Sequence, residues 1–360
     1  MDKRLPGLDF IRFYAALTVL VQHTLGNVYS DMTQHPVGLA LSRLLLNGPN
    51  SVQVFFVLSG FLITYLMLAE IERDGKLNIK AFYLRRLLRI HPLYFTIVLI
   101  AFVVMPLVFP DSRWLPNPAT LPGVLLFLPN VVFATQLHRI PVHLWSIGVE
   151  EQFYALYPLL IRLFQRHCWF AIVALFLLRW AILFVIFGSG NPDLIPVAFW
   201  TRFDALAFGA MAGYLAYRQS PALKLLYHPL TQWLALLYVA FTVWQYHDGI
   251  GVVYDLLRAS AFSIYILNVA TNPRAILRID TRWTEPLGNL SYSLYMWHPL
   301  IIFGIGEALP LGILFEPVLF VSAIGLSFAA SVLSYRYLET PFLRLRHRKA
   351  KPAQLAQSVV

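Results

Sequence analysis

The residues best suited to chemistry in this 360-residue chain stand where ionisable groups are costly. His23 closes the apolar run LDFIRFYAALTVLVQH, which carries Asp9 and Arg12 near its start. At ~1.5 Å per residue, a helix from about Phe10 to Tyr29 crosses the ~30 Å hydrocarbon core of a bilayer and puts His23 a little outward of its middle. An ionisable side chain at that depth costs roughly 3 kcal/mol or more, so it usually faces a protein interior or wet cavity and marks function. A histidine merely bonded to a neighbouring helix is the competing reading. By the same rise, Glu150 and Glu151 in HLWSIGVEEQFYALYP, Asp204 in RFDALAFG and His298 in LYMWHPL fall ~6–12 Å below the outer boundary, in one layer with His23. A carboxylate that orients an imidazole makes it a better general base. Glu150 and Glu151 point ~100° apart on a helix, so at most one faces His23 directly. The bland alternative has them held by tryptophan, tyrosine or arginine for packing.

A second group lies at the opposite boundary. In YLRRLLRIHPLY, Arg85, Arg86 and Arg89 precede an apolar span, and Arg85 and Arg89, at i and i+4, share a helix face. Planar guanidinium groups suit bidentate phosphate binding, as a nucleotide-bearing cofactor would require, and equally attract anionic lipid headgroups. The residue types leave both open.

The elements that must position these groups follow from composition. With 58% hydrophobic and only 13% charged residues, and a mean hydropathy of +0.64, a soluble globule is excluded and an all-α integral membrane protein is expected. A window of about 19 residues gives ten candidate spans, at 10–30, 50–70, 92–110, 145–165, 168–188, 200–218, 229–246, 249–270, 285–306 and 312–336. Three arginines (Arg43, Arg113, Arg139) fall outside and four (Arg12, Arg179, Arg202, Arg258) within spans, leaving 21 of the 28 Lys and Arg on the cytoplasmic side. That bias places both termini in the cytoplasm and accounts for the net charge of +10 without a nucleic-acid partner. Leu121 to Ala134 is apolar but short and proline-flanked, and is expected to be re-entrant or interfacial. The basic start (Lys3, Arg4) resembles a signal peptide, yet the apolar run is too long and lacks a cleavage site, so a retained first span is expected. Ser59-Gly60, Gly209 and Gly213 are read as close-packing positions, and Pro299 as a kink. The single cysteine, Cys168, excludes an internal disulfide and a cysteine metal cluster. One membrane domain over 1–342 with a basic cytoplasmic tail over 343–360 is expected.

Seven segments together resemble the acyltransferase 3 family of multi-span membrane acyltransferases. They are the Arg12 to His23 spacing, FFVLSGFLIT, RRLLRIHPLY, LWSIGVEEQFY, RFDALAFG, LGNLSYSLYMWHPL and SYRYLETPF, in the family's order from Leu8 to Phe342. Two details depart slightly: Ile147-Gly148 stands where leucine and another residue are common, and His91 sits within the arginine motif. The resemblance implies transfer of an acyl group, most often acetyl from acetyl-CoA, to a hydroxyl of a cell-envelope carbohydrate. It implies His23 as the catalytic histidine with Arg12 its motif partner, Glu150 and Glu151 supporting it, and Arg12, Arg85, Arg86 and Arg89 toward acyl-CoA. Asp204 and His298 are then expected to bind the acceptor, an envelope glycan or lipid-linked sugar, with no metal. The setting would be the cell inner membrane and its lipids. No soluble domain fits after the last span, so onward transfer to a fused hydrolase-like domain is not expected. A proton-coupled transporter or flippase would also use intramembrane Glu, Asp, His and Arg, although no internal repeat is visible. A noncatalytic scaffold would leave the buried charges paired and dispensable.

Overall fold

The computed structural model describes residues 5, 7–25, 48–134, 141–245, 251–308 and 315–349. Arg43, Arg139, the outer end of the first window and the tail from 350 onward lie outside them. Among the described residues there is no strand. Ten helices have 15 residues or more: α1 (Leu8–Leu25), α2 (Gly48–Asp74), α3 (Ile79–Leu99), α4 (Leu144–Leu163), α5 (Trp169–Gly188), α6 (Phe203–Tyr217), α7 (Pro229–Gln245), α8 (Val252–Thr271), α9 (Thr284–Ala308) and α10 (Phe315–Leu333). Each expected window therefore holds a helix. Among the described residues, six helical segments are long and apolar enough to cross a membrane: Asn50–Asp74, Ile79–Val108, Trp169–Gly188, Pro192–Tyr217, Val252–Thr271 and Val318–Leu345. Ten spans are thus not established by length and composition. Helices α1, α4, α7 and α9 fall short, and α1, α4 and α9 are those whose apolar runs carry the candidate histidines and glutamates.

Small residues set the tightest contacts. A Cβ added to Gly60 of α2 would lie 2.0 Å from the Leu206 carbonyl oxygen of α6, and one on Gly209 would lie 2.0 Å from that of Val57. Only glycine lets these backbones approach so closely. Helix α1 lies in a similar embrace with α9, where a Cβ on Gly288 would lie 2.6 Å from Asp9 Cβ. Its Thr18 hydroxyl also meets Ser51 of α2 at 2.5 Å. Leu121 to Ala134 forms no spanning helix. Two short helices, Leu121–Leu125 and Pro129–Val132, flank Phe127, whose φ is +58°. The freed carbonyls are satisfied from the bundle: Tyr94 donates to Val124 O at 2.8 Å and Gln152 Nε2 to Phe127 O at 2.9 Å. Irregular backbone is tolerated among apolar helices only when the protein itself supplies such donors.

Candidate functional site

Helix α4 shows how side chains are dealt to different neighbours. Gly148 and Gln152 face the 121–134 segment, where Pro129 Cδ would lie 2.7 Å from a Cβ on Gly148. Ser146, Glu150 and Tyr154, one turn apart, face inward and line a cavity of about 190 Å³. Arg12 of α1, Ser59 of α2, Arg86 and Arg89 of α3, and Ser291, Tyr292 and Tyr295 of α9 complete its polar lining, with Phe55, Phe56, Leu62 and Ile63 among its apolar walls. Glu150 accepts from the Ser59 hydroxyl at 2.7 Å through one oxygen and from the Tyr154 hydroxyl at 2.9 Å through the other. The Arg86 guanidinium lies 5.6 Å from the ring centroids of both Phe82 and Tyr154, and Arg12 is 3.5 Å from Asp9. Three guanidinium groups thus open on a space whose one lining carboxylate is Glu150.

The histidines meet beyond the far wall. His23 Nδ1 lies 2.8 Å from His298 Nε2, with the rings stacked and their centroids 5.1 Å apart. His298 is fully buried, and its Nδ1 faces the Leu294 carbonyl at 3.3 Å. His23 is open to its surroundings. Between pair and cavity stands Tyr295. Its hydroxyl meets Ser146 at 2.6 Å and donates to the His143 carbonyl at 3.0 Å, while its ring lies 5.7 Å from that of His298. A third imidazole, buried His143, packs 5.8 Å from His298.

The expected site residues are distributed among different partners by this geometry. Neither glutamate orients His23: Glu150 is held by Ser59 and Tyr154, and Glu151 pairs with His91 at 3.2 Å. The depth reckoning set these groups level with His23, but Glu150 shares its cavity with Arg86 and Arg89 and Glu151 meets His91, all of the arginine motif assigned to the opposite boundary, and His298 is the group bonded to His23. Asp204, also fully buried, stands 3.6 Å from Arg179, away from both histidines' hydrogen bonds. Arg85 is drawn off by Glu70 at 2.8 Å and does not line the cavity, so Arg86 and Arg89, at i and i+3, form the inward face instead of Arg85 and Arg89. Ser59 packs beside Gly60 as expected but also serves the cavity. Sequence reasoning missed Ser146, Tyr154, Ser291, Tyr292, Tyr295 and His143. A signal was present in the i, i+4 series 146, 150, 154 and 291, 295, each aligned with a residue already singled out.

Apolar helices packed around an arginine-lined cavity and a bonded imidazole pair define a multi-pass membrane protein with polar chemistry inside its bundle. The family model described as an acyltransferase domain matches residues 5–336, and the chain belongs to that family, acyltransferase 3. Among curated proteins it is similar to O-acetyltransferase OatA of Staphylococcus aureus strain MRSA252, at 26% identity across 99% of this chain and 61% of the relative. The same identity and coverage hold for OatA of strain NCTC 8325 / PS 47. The chain therefore spans about three-fifths of the length of these relatives. No solved structure matches.

Proposed function

We propose that this chain moves an acyl group, acetyl from acetyl-CoA above others, to a hydroxyl of a cell-surface or exopolysaccharide sugar. One observation carries the reading: a cavity bearing Arg12, Arg86 and Arg89 ends at Tyr295, whose ring backs onto the His298–His23 pair. Guanidinium groups in a low-dielectric wall favour phosphates strongly, and Arg holds them bidentately. A volume of about 190 Å³ suits a narrow pantetheine arm rather than a whole nucleotide-bearing donor, so the arginines would take phosphates at its mouth. Ser59 and Tyr154 fix Glu150 within the same wall. His23 would act beyond Tyr295 as general base or transient acyl carrier. The names of the relatives support acetyl as the group moved. In this reading the protein lies in the cell inner membrane with both termini cytoplasmic, residues 121–134 re-entrant, residues 1–342 the membrane domain and 343–360 a basic tail. Acyl-CoA enters from the cytoplasm and the envelope glycan or lipid-linked sugar from outside.

The test is release of free CoA thiol from acetyl-CoA by purified protein given envelope glycan. His23→Ala should abolish it while the protein stays folded, since loss of a positioned proton-transfer group costs about 10² to 10⁴ in rate. Wild-type turnover by a folded His23→Ala protein would end the assignment.

A further inference from the structure

We propose that His298 is a positioning residue that fixes the tautomer of His23, making Nε2 of His23 the nitrogen that receives the acceptor's proton. The proposal rests on the reading of His23 as the base. Its argument starts at a backbone oxygen. The Leu294 carbonyl can only accept, so His298 Nδ1, 3.3 Å away, carries a hydrogen. In a neutral imidazole the other nitrogen, Nε2, is then a bare acceptor. His23 Nδ1 lies 2.8 Å from it, a distance that requires the hydrogen to sit on His23 Nδ1. His23 Nε2 is left with its lone pair.

The reverse order would set two lone pairs, His298 Nδ1 and the Leu294 oxygen, against each other in a fully buried place. Among the described residues no carboxylate is bonded to His23; Glu150 and Glu151 are held by Ser59, Tyr154 and His91. An imidazole therefore does here what a carboxylate does in many histidine sites, where the partner holds ring orientation and tautomer. During transfer, Nε2 of His23 takes the hydroxyl proton as the hydroxyl oxygen bonds to the thioester carbon. The carbon–sulfur bond breaks, and Nε2 returns the proton to the leaving thiolate, so the pair ends neutral as it began. While His23 is charged, its Nδ1–H to His298 bond is charge-assisted, which helps Nε2 accept the proton.

The test separates tautomer control from packing. His298→Ala should lower kcat by roughly 10- to 100-fold with little change in the acyl-CoA KM. Replacing His23 by Nδ1-methylhistidine in that background should restore kcat to within about threefold, because the methyl forces the lone pair onto Nε2 without any partner. The Nε2-methyl isomer should be inactive in either background. Failure of the Nδ1-methyl residue to rescue a folded His298→Ala protein would overturn the proposal, as would wild-type kcat in His298→Ala itself. Should His298→Ala fail to fold, nitrogen NMR of wild-type protein decides: a hydrogen on Nδ1 of His23 supports the assignment and one on Nε2 alone overturns it. If His23→Ala also turns over normally, the acyltransfer reading of His23 falls. If His23→Ala is dead while the His298 variants behave as wild type, only the positioning role falls.

Discussion

Arg179, Arg202 and Arg258 stand among two aspartates, whereas Arg12, Arg86 and Arg89 open onto a cavity with a single lining carboxylate. In the first set Asp255 meets both Arg202 and Arg258, Asn50 accepts from Arg258 at 3.0 Å, and Asp204 faces Arg179 at 3.6 Å. Arg179 also donates to the Ala198 carbonyl at 2.5 Å. Although one arginine is in excess, these direct ion pairs tie α5, α6, α8 and the start of α2 together. In the second set Arg12 also has Asp9 at 3.5 Å, so again three guanidinium groups stand with two carboxylates, but here the arginines line a cavity and Glu150 within it is held by hydroxyls. Guanidinium groups that line an open volume make a site for an anion, while guanidinium groups bonded directly to carboxylates of neighbouring helices make a fastening. Both sets lie in a low-dielectric interior, so the difference comes from partners and space, not from residue type.

The comparison can be broken most severely at the fastening. Asp204→Ala leaves buried Arg179 uncompensated and should cost about 3–5 kcal/mol of stability, read as a fall in thermal unfolding temperature in detergent, with the acyl-CoA KM of the folded fraction unchanged. A changed KM with unchanged stability would mean that the two sets had been assigned the wrong way round. The cavity set should respond in the opposite sense. Replacing Arg12, Arg86 and Arg89 together by lysine keeps the charge but loses the bidentate fork, and should raise the acyl-CoA KM by about tenfold with little change in unfolding temperature. Equal KM values would favour lipid headgroups as their ligand. The smallest effect is expected at Arg85, the arginine of the motif that turns to Glu70: a partly exposed pair contributes about 0–1 kcal/mol, so Arg85→Lys should leave KM and stability nearly as they were. A tenfold KM change at Arg85 alone would return it to the donor site.

Much of the layout was legible in the sequence. Ten apolar windows each hold a helix, the proline-flanked 121–134 segment does not form a span, and Gly60, Gly209 and Gly213 do pack against facing backbone. Axial depth also put His23 and His298 in one layer, without pairing them; the bond between them is seen only in the structure. What it could not give is azimuth. A residue's height along a helix follows from a constant rise, so chain position alone fixes it. Its direction depends on how the helix is rotated by its neighbours, and a single step turns a side chain by ~100°.

That one angle separates Glu150 from Glu151 and Arg86 from Arg85, although each pair is adjacent in the chain. The sequence by itself determined a helical, largely apolar chain and the motifs of an acyltransferase family, because hydropathy and local order require no knowledge of neighbours. Tertiary structure alone decided that Asp204 answers Arg179, that Glu151 answers His91, and that His298 rather than a glutamate holds His23. Hydrogen bonds act over about 3 Å, and only the packed rotation of one helix against another brings atoms from distant segments within that reach.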